Sequence, residues 1–348
     1  MTIREIAEAA NVSRATVSYV INGKSKVSPE TRERVLKIIE ESGYKPNYIA
    51  KSLRKSRTNT IGVIVEDITS FQTPYLVSTI HNNLEAIGYE MILIDLGLVS
   101  KTGFQYERMF GWDNEVKNAF EILESRQVDG LIYIAMVDRD VTALLPPTDK
   151  PIVCAYCYSS AENAVSISYD NYNISEEIVD YLVEMNHKKI ALFTGDPFSE
   201  ATILRHKGYE KAMLRHKLSV PKEYVCYGDW EFETGKRMFK EIIALPDPPT
   251  AIISMNEEMA LGAIYAGEEL GYRVGKKMSI VGYNNREFSA YIHPSLTTAG
   301  FPLTEIGKTS AEYMVALIEG KPISEKKLFL PCTLIKRDSV IKLTESDN

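Results

Sequence analysis

Histidine, cysteine and tryptophan are scarce in this chain, at five, four and two among 348 residues, and long apolar runs are missing. The histidines (His81, His187, His206, His216 and His293) are scattered, with no H-x-x-x-H pair and no second cysteine pair to complete a metal set. Cys154 and Cys157 have C-x-x-C spacing, but Pro151 to Tyr158 reads as a strand, where positions three apart face opposite sides. Neither a metal nor a cofactor is therefore expected. So few cysteines fit a reducing compartment. No stretch approaches the roughly 18 apolar residues of a membrane span, and Met1 leads into a polar, capped segment instead of an apolar leader. The expected location is the cytoplasm, with no membrane partner. Catalytic signatures are equally thin. There is no G-x-S-x-G elbow, and Gly307-Lys308-Thr309-Ser310 fails as a phosphate loop because Pro302 stands where that motif needs glycine. Binding is favoured over catalysis, with a solute receptor and an α/β enzyme of sugar or nucleotide metabolism as the rivals.

What is present is charge, unevenly spread. The whole chain carries 40 basic and 47 acidic residues, a net of −7, yet residues 1–57 hold 12 basic and 6 acidic ones. A small module at +6 therefore precedes a body at −13. That asymmetry suits a phosphate-facing head on a body that resists nonspecific adhesion to DNA; a merely solvated helix surface is the plainer alternative.

The first 45 residues read as three helices. Thr2-Ile3-Arg4-Glu5 is a capping-box pattern, and Ile3, Ile6, Ala7 and Ala10 repeat at helical spacing. Asn11-Val12-Ser13 makes a tight turn, with Ser13 as the cap of a second helix over Arg14–Asn22. On that helix Val17, Val20 and Ile21 share one arc, while Arg14, Ala15, Ser18, Tyr19 and Asn22 occupy the opposite one. Ser28-Pro29 opens a third helix, which buries Val35, Ile38 and Ile39 and stops at Gly43. Two short helices joined by a three-residue turn form a helix-turn-helix unit. Its outward arc suits a major groove: Arg14 can pair with a guanine edge, Tyr19 and Asn22 can reach bases or phosphates, and Ala15 can touch a thymine methyl. Thr2, Ser13, Thr16 and Ser28 stand where hydroxyls or helix-start amides can grip phosphates. Any exposed helix has a polar arc, so geometry alone leaves open a three-helix bundle that only faces water.

The stretch Ile3-Arg4-Glu5-Ile6-Ala7 through Val12-Ser13-Arg14-Ala15-Thr16-Val17-Ser18-Tyr19-Val20-Ile21-Asn22-Gly23 resembles the reading head of the lactose-repressor family of bacterial transcription regulators. Pro46-Asn47 through Ala50-Lys51-Ser52-Leu53 resembles that family's hinge. The resemblance implies double-stranded operator DNA as a partner, sequence choice at Arg14, Ala15 and Tyr19, and a minor-groove wedge at Leu53. The positions Asn47, Ala50 and Lys51 join the expected DNA contacts. A hinge helix from Tyr48 to about Arg54 is shorter than the roughly 12 residues at which isolated helices become marginal. Free, it should fray; against DNA and a second hinge it can fold, with Lys51, Arg54, Lys55 and Arg57 neutralising phosphate. A flexible linker with Leu53 against the core is the alternative.

From Thr60 onward, apolar runs alternate with amphipathic helices. Ile61–Val65, Met91–Ile94, Leu131–Ile134 and Ile152–Ala155 read as buried strands, with helices over about Tyr75–Ile87 and Val116–Ser125 between them. A second round follows, with strands at Ile190–Phe193, Ala251–Ser254 and Ser279–Gly282 and helices over about Ile174–Met185, Arg205–Leu214, Glu233–Ile243 and Met259–Leu270. This rhythm calls for parallel sheets covered on both faces, and two such lobes in series suggest a cleft beyond the strands' carboxyl ends. The aromatic stretch Leu96–Asp113, with Phe104, Tyr106, Phe110 and Trp112, has three open readings: cleft border, pairing surface or surface loop.

The body also resembles the same family's effector domain, a relative of periplasmic sugar-binding proteins, through Asp170-Asn171, Asn186-His187-Lys188-Lys189-Ile190-Ala191, Met255-Asn256-Glu257-Glu258 and Val281-Gly282-Tyr283-Asn284-Asn285. The implied fold is α/β: a helix-turn-helix head plus a two-lobed, periplasmic-binding-protein-like effector domain with parallel sheets. Implied boundaries are 1–45 for the head, 46–58 for the hinge, 59–163 with 294–323 for one lobe, and 164–293 with 324–340 for the other. By resemblance Arg205 clamps a small-molecule effector, Asn256 bonds it from the opposite wall, and Trp230 offers an aromatic platform. Tyr75 and Phe301 are further pocket candidates, with core packing as the alternative for each aromatic. Family members that bind sugars often carry an acid where Asn284 stands; Asn284 can still hydrogen-bond hydroxyls but adds no negative charge, which leaves a neutral or an anionic ligand open. One head covers half a symmetric site, so a homodimer is expected. The expected behaviour is that of a metabolite-controlled repressor.

Overall fold

The computed structural model describes residues 1–21, 26–44, 57–102 and 111–344. The chain divides into two compact units, Met1–Thr58 and Asn59–Asn348. In the first, three helices form where the capping signals stand: α1 (Ile3–Ala9), α2 (Arg14–Ile21) and α3 (Pro29–Ser42). Thr2 Oγ1 accepts the Glu5 N–H while the Thr2 N–H donates to the Glu5 carboxylate at 2.9 Å, so two orphan donors are satisfied reciprocally. Ser13 and Ser28 accept the Thr16 and Thr31 N–H groups in the same way. Gly43, at φ 61, ends α3 in the left-handed conformation that glycine adopts without strain. Ile6, Ala7, Ala10, Val17, Val20 and Val35 form the small core, with Ile38 and Ile39 half-buried against it. Asn22, Asn47, Ala50, Lys51 and Leu53, and the expected hinge helix, lie outside the described residues.

The second unit contains two six-stranded sheets. The first is parallel throughout and comprises β1 (Thr60–Val65), β2 (Glu90–Asp95), β3 (Gly130–Ile134), β4 (Ile152–Ala155), β5 (Ala164–Tyr169) and β11 (Lys327–Leu330), in the order β11-β5-β4-β3-β1-β2. The helices α4 (Thr73–Ala86) and α11 (Leu303–Glu319) cover one face with Leu76, Ile80, Leu84, Ile306 and Met314. Helix α6 (Asp113–Ser125) covers the other with Val116, Phe120 and Leu123, after a short α5 (Leu98–Thr102). Of the aromatic stretch before α6, Phe104, Tyr106 and Phe110 lie outside the described residues.

The second sheet comprises β6 (Ile190–Phe193), β7 (Val225–Cys226), β8 (Ala251–Ser254), β9 (Ser279–Asn284), β10 (Thr297–Gly300) and β12 (Thr333–Ile335), ordered β12-β10-β9-β8-β6-β7. Only β12 runs antiparallel to its neighbour. Helices α7 (Asn171–Glu184) and α8 (Glu200–Arg215) bury Ile178, Leu182, Tyr209 and Met213 on one face. Helices α9 (Phe232–Ile243) and α10 (Glu257–Glu269) cover the other. These last two touch backbone to backbone: a Cβ at Gly235 would lie 2.1 Å from the Met259 carbonyl oxygen, and one at Gly262 would lie 2.0 Å from that of Phe232.

Two sequence expectations need correction here. The lobe boundaries at 163/164, 293/294 and 323/324 fall too early. β5 pairs with β4, β10 with β9, and β11 with β5, so the chain crosses between sheets after Tyr169, after Gly300 and after Leu330. The physical reason is that a parallel strand must run its full length before its carboxyl end delivers the chain to the gap between sheets. The second correction concerns Cys154 and Cys157. β4 stops at Ala155 and Tyr156 takes φ +62, so the chain turns and both thiols enter one buried cluster instead of facing apart.

Candidate functional site

A cavity of about 440 Å³ opens where the carboxyl ends of the two sheets converge. Its lining comes from the ends of most strands: Phe71 and Gln72 beyond β1, Met136 and Asp138 beyond β3, Tyr156 beyond β4, and Tyr169 at the end of β5. Across the gap stand Ser199 and Arg205 after β6, Trp230 after β7, Met255 and Asn256 after β8, Asn284 at the end of β9 and Arg286 beyond it. Open parallel sheets bind ligands at this place because the strand-to-helix loops converge there. Three lining residues, Tyr156, Trp230 and Asn284, hold φ of +62, +74 and +105. Each such non-glycine conformation costs on the order of 1–3 kcal/mol and persists only where surrounding structure imposes it, commonly at a ligand site.

The floor is built around one cation. Arg205 is 3% exposed; its Nε donates to Asn171 Oδ1 at 2.8 Å and Nη1 donates to the Met255 carbonyl. The guanidinium lies over the Tyr283 ring at 4.4 Å and within 5.5 Å and 6.0 Å of the Phe301 and Trp230 rings. Among the described residues no carboxylate pairs with it. The neighbouring acid, Asp138, accepts from Ser168 Oγ at 2.7 Å and from Asn171 Nδ2 at 3.0 Å. Burial pushes the Asp138 carboxyl up to about 7, a rise that those two hydrogen bonds and the Arg205 charge only partly oppose. Asn171 thus bridges a carboxyl of the first lobe to a guanidinium of the second. At the rim, Arg286 pairs with Glu258 and lies 5.8 Å from the Phe71 ring. Tyr158, which follows β4, donates a hydrogen bond across the gap to Glu200 at the start of α8.

Behind this floor, Glu66 accepts both Arg139 Nη2 at 2.6 Å and Nη1 at 2.9 Å, the Tyr133 hydroxyl at 2.7 Å and the Met136 N–H at 2.8 Å. Burial opposes the Arg139 charge, yet Glu66 holds it firmly protonated. This buried pair anchors the Met136–Asp138 segment of the lining from the core side.

Of the residues expected from the sequence, Arg205, Trp230, Asn256 and Asn284 line the cavity. Asn256 differs in role. Its Oδ1 accepts the Met259 N–H as the cap of α10 and its Nδ2 donates to the Trp230 carbonyl at 2.7 Å, so it positions Trp230. Trp230 also presses on Gly195, where a Cβ would sit 2.0 Å from the indole. Tyr75 is a correction: it lies on α4 beside the buried Thr73, Leu76 and Ile80 stripe, points outward and is 58% exposed. Phe71 and Gln72, just before that helix, occupy the wall instead. Phe301 backs the lining, stacked on Tyr169 at 4.2 Å. Sequence reasoning missed Asp138, Tyr156, Tyr169 and Arg286. The available signal was position, since each stands at or just beyond the carboxyl end of a parallel strand. In the head, Arg14, Ala15 and Tyr19 are exposed on α2 while Val17 and Val20 are buried, which presents the expected arc outward; Ser18 is half-buried.

A helix-turn-helix head preceding a two-lobed cleft defines a DNA-binding protein that also carries a ligand receptor. Comparison with known proteins agrees. Residues 2–47 match the bacterial regulatory proteins of the lacI family, and residues 179–340 match the periplasmic binding protein-like domain. The chain is 28% identical over 347 residues to the probable HTH-type transcriptional repressor ExuR of Bacillus subtilis (strain 168), covering 99% of each. It is 29% identical to catabolite control protein A of Priestia megaterium, across 97% of this chain and 99% of that protein. The crystal structure of the lac repressor dimer bound to operator and the anti-inducer ONPF superposes with a TM-score of 0.78 at 28% identity, over 98% of this chain and 99% of that one. The chain belongs to the lactose-repressor family and is a DNA-binding transcription regulator. No described helix is long and apolar enough to cross a membrane.

Proposed function

We propose that this chain is a cytoplasmic, homodimeric repressor whose hold on a near-palindromic operator is set by a small hydroxylated metabolite bound between the two lobes. The observation that supports this reading best is the lined cavity at the converging strand ends, crossed by three chain segments that let the lobes change angle. Arg205, Trp230 and Asn284 are the proposed effector contacts, and Asn256 holds Trp230 in place. Arg14, Ala15, Tyr19 and Asn22 read bases, while Thr2, Ser13, Thr16, Ser18 and Ser28 flank phosphates. In the hinge, Asn47, Ala50 and Lys51 support a Leu53 wedge. The lobes are proposed to divide at the crossings after Tyr169, Gly300 and Leu330. The protein acts by binding and not by turnover, in keeping with regulators as its relatives.

Regulation then follows from differential affinity. A ligand moves operator occupancy only as far as it prefers one lobe angle, typically about 1–3 kcal/mol of coupling. The test is selection of duplexes from a random library by the purified full-length protein, followed by titration of the enriched sequence with and without ligands found by mass spectrometry of the purified protein. Enrichment of a palindromic site whose affinity changes severalfold with ligand is expected. Failure to enrich any sequence would overturn the proposal.

A further inference from the structure

We propose that the ligand of this cleft is a hydroxylated carboxylic acid, a sugar acid and not a neutral sugar, whose carboxylate docks end-on against Arg205. This rests on the cleft being the effector site. A guanidinium removed from water is strongly penalised unless negative charge meets it. Arg205 is 3% exposed, yet its bonded partners are neutral: the Asn171 side chain and the Met255 carbonyl.

The other charges of the lining do not answer it. Arg286 and Glu258 neutralise each other, and Glu231 stands at the exposed rim. Asp138 spends its two oxygens on Ser168 and Asn171 and lies outside ion-pair reach of Arg205 among the described contacts; burial raises its carboxyl to about 7, which weakens it as a counter-charge. Asn284, at the carboxyl end of β9, brings a neutral amide to the wall. Among the described residues Arg205 is left without a directly paired counter-ion, and one negative charge on the ligand completes the site.

The fork left free on Arg205 binds either anion bidentately, and charge balance selects a carboxylate over a phosphate. With Nε and one Nη1 hydrogen engaged, the guanidinium retains two Nη2 hydrogens and one on Nη1, a planar fork that fits a two-oxygen acceptor. A phosphate near −2 would leave one charge unmatched among the aromatic rings of Tyr156, Tyr169 and Trp230. The same rings offer flat apolar walls to the carbon face of a hydroxylated ring or chain, and a cavity of about 440 Å³ holds a molecule of that size.

The test uses calorimetric titration of the full-length protein at about pH 6.5, where carboxylates of pKa near 4 are ionised. Matched probes are D-glucuronate against D-glucose, D-galacturonate against D-galactose, and D-gluconate against D-glucitol, with D-glucose 6-phosphate as the tetrahedral arm. At least one acid should bind ~10-fold or more tightly than its neutral partner, a difference of about 1.4 kcal/mol. Arg205→Gln should abolish that preference. Asn284→Asp, nearly isosteric and able to supply a protein carboxylate to the wall, should erase it while retaining or gaining affinity for the neutral partner. Equal responses within every pair, no response to any acid, or a stronger response to the phosphate would overturn the assignment. Operator titration of the same preparation is read separately. Sequence-specific DNA binding with no preference for acids defeats only the ligand class, whereas acid binding without DNA specificity defeats only the repressor reading.

Discussion

Two buried ionisable side chains give this protein opposing responses to pH. Asp138 has an ordinary value of 3.8 and sits near 7 in the fold, chiefly through burial. Between those values the unfolded chain has lost the proton that the native chain keeps, so stability falls as pH rises through the window. His187 runs the other way. Burial lowers it from 6.5 to about 4, so below 6.5 the unfolded chain takes a proton the native chain refuses, and stability falls as pH drops. Its ring stays neutral to bond Thr250, Ser279 and the Ile341 carbonyl. In urea unfolding at pH 4.5–7, Asp138→Asn should therefore show stability rising with pH, and His187→Gln should show it falling. Identical profiles for both variants would contradict this assignment. Arg139→Met tests the neighbouring pair: it leaves the Glu66 carboxylate buried without its cation and should cost about 3–5 kcal/mol, read from the same unfolding curves.

At the scale of elements, the second lobe depends on how closely α9 and α10 approach. Ordinary helix pairs stand 8–10 Å apart on their side chains, but here glycines remove the side chains at the contact. Gly235→Ala places a methyl 2.1 Å from the Met259 carbonyl oxygen, part of the rigid α10 backbone. The helices must separate, and the loss should be on the order of 2–3 kcal/mol, as for an overpacked core. Because α10 is capped by Asn256, which holds the Trp230 carbonyl, the shift should also weaken ligand binding. Thermal melting and ligand titration of this variant against the unmodified protein would check it. An unchanged melting temperature for Gly235→Ala would refute the close-packing argument.

At the scale of the whole molecule, the two functions should be separable by mutation. Leu53→Ala should severely weaken specific operator binding while leaving calorimetric ligand binding intact, because the proposed wedge acts only in the minor groove. Unchanged operator affinity would remove the wedge. Tyr158→Phe acts on the receptor instead. It deletes the hydrogen bond to Glu200 that spans the gap between lobes, worth about 0.5–1.5 kcal/mol. A ligand that binds between closed lobes should lose up to about tenfold in affinity, with its preference for acid over neutral probes unaltered. Loss of that preference instead would mean that Tyr158 touches the ligand.

Sequence by itself determined those parts whose signals are local. The caps at Thr2, Ser13 and Ser28, the glycine stop at Gly43 and the apolar arc of α2 each depend on residues within about four positions, and a helix closes its hydrogen bonds over that span. Strands buried on both faces announced themselves as unbroken apolar runs, such as Ile61–Val65 and Ile190–Phe193. β5, with serines at 166 and 168, and β10, spelled Thr-Thr-Ala-Gly, carry no such run and emerge through pairing with neighbours already in place. Only the tertiary structure decided what the cleft contains. Asp138 meets Asn171 across 33 positions, Arg205 meets Met255 across 50, and the left-handed turn at Tyr156 redirects Cys157. The charge of Arg205 was legible in the chain; that no described carboxylate pairs with it was not, because that depends on which distant side chains the folded sheets bring within reach.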